Sequence, residues 1–164
     1  MQTTQLSFDT SAAVGETILP CGTETVLVVI HERAQREYIA WTLRERGYKV
    51  IEATDGQEAL CLFHNSPDRR IDLVLADAGL PRLCGKTLAH KLAPFLSPTR
   101  LLIAAHSQAE LAVHNELLAG QLNYLKKPTT RTALALTVRE VLDNAAPAEL
   151  QFTSAEELEL VAVA

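Results

Sequence analysis

Apolar and polar positions along this chain fall into short blocks that switch repeatedly between two periods. Thr25 to Ile30 reads Thr-Val-Leu-Val-Val-Ile, a continuous run dominated by β-branched residues, of the kind a strand shows when both of its faces are covered. Arg33 to Arg46 has helical length, with Ile39 and Leu43 four apart and Gly47 as a stop. Tyr48 to Ala53 is a second strand, and Asp55-Gly56 is a turn that opens a short helix over Gln57 to His64. The alternation continues with strands at Ile71 to Ala76, Leu101 to Ala105 and Leu122 to Leu125, and helices at Lys86 to Phe95 and Gln108 to Ala119. A last helix spans Thr130 to Asn144, with Leu134, Val138, Val141 and Leu142 forming one apolar stripe. Five strands alternating with five helices through short connections predict an α/β fold, a parallel sheet with helices on both faces.

The flanks behave differently. Residues 1–23 are rich in Thr, Ser, Ala and Gly without sustained period, and read as a linker or flexible lead-in. Residues 24–145 carry the alternating pattern, and 146–164 form a tail after Ala146-Pro147. In that tail Ser154 and Glu157 make a possible capping box ahead of Leu158, Leu160, Val161 and Val163, which also alternate like a strand, so helix and strand both stay open.

Composition narrows the function classes. Of the 164 residues, 48% are apolar, enough for one well-filled core. The net charge of -5 argues against direct contact with nucleic acid, which needs clustered Lys and Arg. No segment reaches the roughly 18 continuous apolar residues of a membrane span, and Met1 to Pro20 lacks the basic start and apolar centre of a secretion signal. Cys21, Cys61 and Cys84 are odd in number and far apart, as in a reduced, cytoplasmic chain. No nucleophile–base pair, Gly-rich phosphate loop or cofactor motif supports turnover chemistry, so the chain is expected not to be an enzyme.

The candidate chemistry sits at strand ends. Asp77 closes the run Asp72-Leu73-Val74-Leu75-Ala76-Asp77, followed by Leu80-Pro81 and Gly85, and Lys127-Pro128 closes Asn123-Tyr124-Leu125-Lys126. In a doubly wound sheet the carboxyl ends of the strands gather at one edge, where ligands bind. That edge would bring together Ile30, His31, Glu32, Asp77, Ala105, His106 and Lys127. Together with Thr-Val-Leu-Val-Val (25–29), Gly-Tyr-Lys-Val (47–50) and Asp-Gly-Gln-Glu-Ala-Leu (55–60), these stretches resemble, in order and spacing, the receiver domains of two-component response regulators. The resemblance covers roughly Glu24 to Asn144. Gly22 to Leu27 also resembles the lead-in to receivers attached to hybrid sensor kinases.

The resemblance implies a flavodoxin-like sheet of order 2-1-3-4-5 and a phosphorelay role. It makes Asp77 the phosphoacceptor and Lys127 its phosphate-contacting partner, with Mg²⁺ neutralising charge between the Asp77 carboxylate and the incoming phosphoryl group. The family holds that ion with an acidic pair after the first strand, the acceptor aspartate and a carbonyl two residues beyond it, here Gly79. The acidic pair falls on Ile30, which offers no donor, and His31, whose nitrogen suits softer metals; Glu32 is acidic but one place late. The family's switch hydroxyl falls on Ala105, its small neighbour on His106, and its switch aromatic on Tyr124. Asp77, Glu32 and the Gly79 carbonyl would hold an ion weakly, and the site is expected to be degenerate, a pseudo-receiver acting through protein contacts. A receiver phosphorylated on Asp77 by a sensor histidine kinase is the alternative.

The resemblance also implies signalling partners and a possible homodimer through the face of the fourth helix, fifth strand and fifth helix. Two imidazoles, His31 and His106, beside Asp77 raise the question of Zn²⁺, but no metal-binding spacing accompanies them. Cys84 reads as an inert loop thiol rather than a sensor, and Tyr38 and Trp41 read as packing or partly exposed residues rather than a partner surface.

Overall fold

The computed structural model describes residues 18–65, 70–81, 83, 85–92, 99–107 and 123–144. Five strands form one parallel sheet: β1 (Thr25–Val29), β2 (Lys49–Ala53), β3 (Leu73–Asp77), β4 (Arg100–Ala105) and β5 (Asn123–Lys126). Their order is β2-β1-β3-β4-β5, the doubly wound arrangement expected. Four helices are described, α1 (Arg33–Glu45), α2 (Gly56–His64), α3 (Gly85–Leu92) and α4 (Arg131–Asp143), against five expected. The expected helix over Gln108 to Ala119 lies outside the described residues, as do Cys84 and the capping box at Ser154 and Glu157.

The helix ends follow from local chemistry. Asp55 caps α2, its carboxylate accepting the Glu58 amide at 2.8 Å. Thr130 caps α4 in the same way, its hydroxyl accepting the Ala133 amide at 3.1 Å. The chain leaves α1 through Gly47, whose φ of +90° is strained for any residue bearing a Cβ.

The sheet divides the core in two. One face packs Leu27, Val29, Val74, Ala76 and Ile103 with α2 and α3 residues such as Leu60, Leu88 and Leu92. The other packs Val26, Val28, Leu73, Leu75 and Leu102 with Ile39 and Leu43 of α1 and Leu134, Val138, Val141 and Leu142 of α4. The predicted stripe on the last helix is therefore its buried face. Alternate residues of each strand serve opposite faces, which is why these strands read as continuous apolar runs.

The amino ends of the strands are tied by side chains. The Asp72 carboxylate accepts the Thr25 amide at 2.9 Å, and the buried Thr99 hydroxyl donates to the Ile71 carbonyl at 2.6 Å. Arg139 of α4 donates to Glu24 at 2.8 Å and lies 2.6 Å from Asp143, joining the start of β1 to the last turn of α4. With the amino end fixed in this way, the opposite edge carries the loops and the candidate chemistry.

Candidate functional site at the carboxyl edge of the sheet

The register brings the predicted residues to one edge. Asp77 pairs with Ala104, Ala105 with Lys126, and Ala76 with Val29, so the ends of β1, β3, β4 and β5 are level. Backbone bonds continue past the strands: Ile30 donates to Ala53 at 3.1 Å, Ala78 to Ala104 at 2.9 Å, and Lys127 to Ala105 at 2.8 Å. These bonds extend the sheet's order into the loops that carry the site.

Asp77 and Lys127 meet. Lys127 Nζ lies 2.6 Å from Asp77 Oδ2, and both side chains are largely removed from solvent, 5% exposed for Lys127 and 16% for Asp77. Asp77 Oδ1 accepts the Gly79 amide at 3.0 Å, so each carboxylate oxygen has a donor. Because β4 lies between β3 and β5, the Lys127 side chain reaches Asp77 across the end of β4, where Ala104 and Ala105 keep bulk low. Charge-assisted contacts of this kind are stronger than neutral ones, and reduced solvent access lessens their screening.

The other predicted positions divide into buried and exposed. Ile30 is fully buried and packs with Val28, Ile39 and Leu43, so its side chain is part of the core. His31, Glu32, Gly79 and His106 are exposed. Ala105 is buried, and its carbonyl accepts both the Lys127 amide and, at 3.2 Å, the Tyr124 hydroxyl. Tyr124 is half-buried against the cluster containing Ile103 and Ala105. Among the described residues no three His, Cys, Asp or Glu side chains gather closely enough to hold a metal, and His31, His106 and Asp77 form no such group.

One side chain at this edge was not legible as part of the site. Arg36 donates through Nη1 to the carbonyls of Ile30 at 2.8 Å and His31 at 3.2 Å. The sequence marks Arg33 and Arg36 only as unusual, standing near the start of a helix whose first turn has no acid, and does not show what they reach. On the outer face of α1, Tyr38 and Trp41 are 38% and 43% exposed, and the Arg131 guanidinium stacks 4.0 Å from the centre of the Trp41 ring.

The family described as Response regulator receiver domain matches residues 26–139, well over half of the chain. The chain belongs to that family. Among curated relatives, it is 36% identical over 126 residues to the Response regulator MprA of Mycobacterium sp. (strain KMS), covering 76% of this chain and 53% of that protein. It is 30% identical over 122 residues to the Sensor kinase CckA of Brucella abortus (strain 2308), covering 74% of this chain but 13% of the kinase. The chain thus spans about half or less of each of these two relatives.

Solved receiver structures agree with the fold. The receiver domain from the hybrid histidine kinase CckA superposes with a TM-score of 0.61 at 30% identity, covering 73% of this chain and 99% of that one. A putative response regulator from Chloroflexus aurantiacus J-10-fl gives 0.65 at 27% identity, covering 75% and 100%. Receiver domains are in general non-enzymatic signalling modules that bind Mg²⁺ and act with sensor kinases and other signalling proteins. No helix among the described residues is long and apolar enough to cross a membrane.

Proposed function

We propose that this receiver domain transmits signals through protein contacts and does not depend on its own phosphorylation. The observation that carries the reading is Ile30: where the family's acidic pair begins, this chain has a fully buried aliphatic side chain. A hard divalent cation needs several oxygen ligands, and Mg²⁺ demands near-octahedral geometry. The acceptor aspartate already has both oxygens engaged, by Lys127 and by the Gly79 amide. Glu32 and the Gly79 backbone are exposed and supply at most a loose remainder of a site. The residues present do not fit Mg²⁺.

The pair itself has a plain physical consequence. With Lys127 against Asp77, the local charge is balanced without a ligand, and the pocket has a stable unmodified state. Ala105 offers no hydroxyl to a phosphoryl oxygen, and Tyr124 is satisfied by a backbone carbonyl instead. On this reading residues 24–145 form the signalling domain, Asp77 is a structural remnant of a phosphoacceptor, and His106 borders the pocket without a chemical role. The site of action would be the cytoplasm, and the partner a sensor kinase or another signalling protein. A homodimer through β5, α4 and the segment before β5 belongs to the same reading.

A functional receiver, phosphorylated on Asp77 by a sensor histidine kinase, is the second reading. The surviving Asp77–Lys127 pair at the strand ends is what favours it.

Amide NMR in the presence of Mg²⁺ and beryllium fluoride, a mimic of the phosphoryl group, separates the two. The protein-contact reading expects no saturable shift near Asp77, Ala105 or Lys127. Saturable shifts that vanish in Asp77→Asn would establish the phosphorylated reading.

A further inference from the structure

The loop between β1 and α1 carries positions 30 and 31, and Arg36 grips it from the helix. Its Nη1 donates to two successive carbonyls, those of Ile30 and His31, at 2.8 and 3.2 Å. Its Nε lies 3.5 Å from Glu52 Oε2, and the side chain is only 12% exposed. Glu52 is itself shared, its other oxygen lying 2.9 Å from Arg44 Nη2. A cation near the start of α1 opposes the helix dipole, and no acid in the first turn offsets it. Its compensation comes from the two loop carbonyls and Glu52.

We infer that Arg36 is a built-in cation that organises the β1–α1 loop in place of an external one. The inference rests on the reading above, in which the pocket has no Mg²⁺ site, and supplies the reason its loop stays ordered without one. A guanidinium takes one lone pair of each carbonyl and leaves the other beside a like charge, which makes it a poor ligand for a second cation. The fixed positive charge beside it repels any divalent ion approaching the same loop. Ile30 anchors the loop from the core side, and its amide is held by the Ala53 carbonyl at 3.1 Å. The loop is therefore fixed on three sides by the protein's own groups: core packing, a strand-end hydrogen bond and a guanidinium.

The inference makes restoration of acid alone insufficient. His31 is exposed, so His31→Asp adds a carboxylate at the loop with little risk to the core. Removing the guanidinium as well, in His31→Asp/Arg36→Gln, frees two carbonyls and takes away the repelling charge.

The test is Mn²⁺ binding to the full chain, read by electron paramagnetic resonance of the free ion, with far-UV circular dichroism as a folding check. The wild type and His31→Asp are expected to show no saturable binding at millimolar Mn²⁺. The double variant is expected to bind at least about tenfold more tightly than His31→Asp, since it removes a like charge at close range. His31→Asp/Arg36→Met, which keeps the apolar stem of the side chain, replaces the double variant if the Gln form does not fold. Equal binding by the single and double variants overturns the role of Arg36, as does saturable binding by the wild type. Phosphodonor labelling of the wild type is read independently, so loss of the Arg36 role would leave the protein-contact reading to stand or fall on its own result.

Discussion

Asp77 and Lys127 stand fifty positions apart in sequence and meet at 2.6 Å across the end of β4. The contact exists because β3 and β5 flank the same strand and their carboxyl ends lie level. Neither residue has much water to fall back on, so each stabilises the other's charge.

Lys127→Met leaves a mostly buried carboxylate without its cation. Breaking a buried pair on one side commonly costs 3–5 kcal/mol, and the residual exposure of Asp77 reduces this to about 2 kcal/mol here. Asp77→Asn leaves the more deeply buried Lys127 ammonium with only a neutral acceptor and is expected to cost a similar amount, about 2 kcal/mol. The double variant should be more stable than the sum of the two losses predicts, because the second change removes the orphaned charge. Urea midpoints of the four proteins check this directly.

Tyr124→Phe removes one hydrogen bond, from the phenol to the Ala105 carbonyl, and leaves the ring's packing in place. The expected loss is about 1 kcal/mol, read from the urea midpoint. The Ala105 carbonyl keeps the Lys127 amide, so the Asp77–Lys127 contact should survive the change.

Stability should fall in acid partly through Glu24. The Arg139 hydrogen bond holds its carboxyl below the ordinary value of 4.5, outweighing the opposing effect of burial. A depressed folded-state pKa contributes stability that is fully present above the unfolded value and is lost as pH falls through the folded one. Stability is therefore flat on this account near neutrality and declines below about pH 4.5 as the unfolded chain takes up a proton first. Glu24→Gln should shallow that decline in thermal melts taken between pH 3 and pH 7 (roughly the span over which carboxylates titrate), while lowering stability at pH 7.

The two side-chain caps give a test of the fold itself. Asp55→Ala and Thr130→Ala each remove the acceptor for a helix amide, and each should cost about 1 kcal/mol. They cap different helices through different amides, Glu58 and Ala133, so the losses should add in the double variant.

Much of this architecture was legible in the chain because its strands are buried on both faces. Thr25 to Ile30 and Ile71 to Ala76 read as strands from their apolar runs, against the observed Thr25–Val29 and Leu73–Asp77, and the α4 stripe identified its buried side. Boundaries shifted by one or two residues where a cap takes over, as at Thr130 and Asn144, which flank α4 rather than belong to it. Asp77 and Lys127 were legible because strand order fixes which ends meet.

Arg36 was not, since its role depends on the carbonyl directions of a loop, which periodicity does not encode. The Arg139–Glu24 contact was hidden for a different reason. It joins residues 115 positions apart through the end of a helix whose sequence stripe reports only its apolar side. Tyr124 was read only as the position of the family's switch aromatic, and its acceptor is a backbone atom, which side-chain identity cannot reveal.

The central claim, signalling without phosphorylation of Asp77, is tested most directly by the intact mass of the protein after incubation with acetyl phosphate and Mg²⁺. A receiver domain that labels normally serves as the positive control, and Asp77→Asn as the site control. The account predicts no added phosphoryl group on the folded wild-type chain while the control labels. A gain of one phosphoryl group that disappears in Asp77→Asn would contradict it and make this domain a working phosphoacceptor.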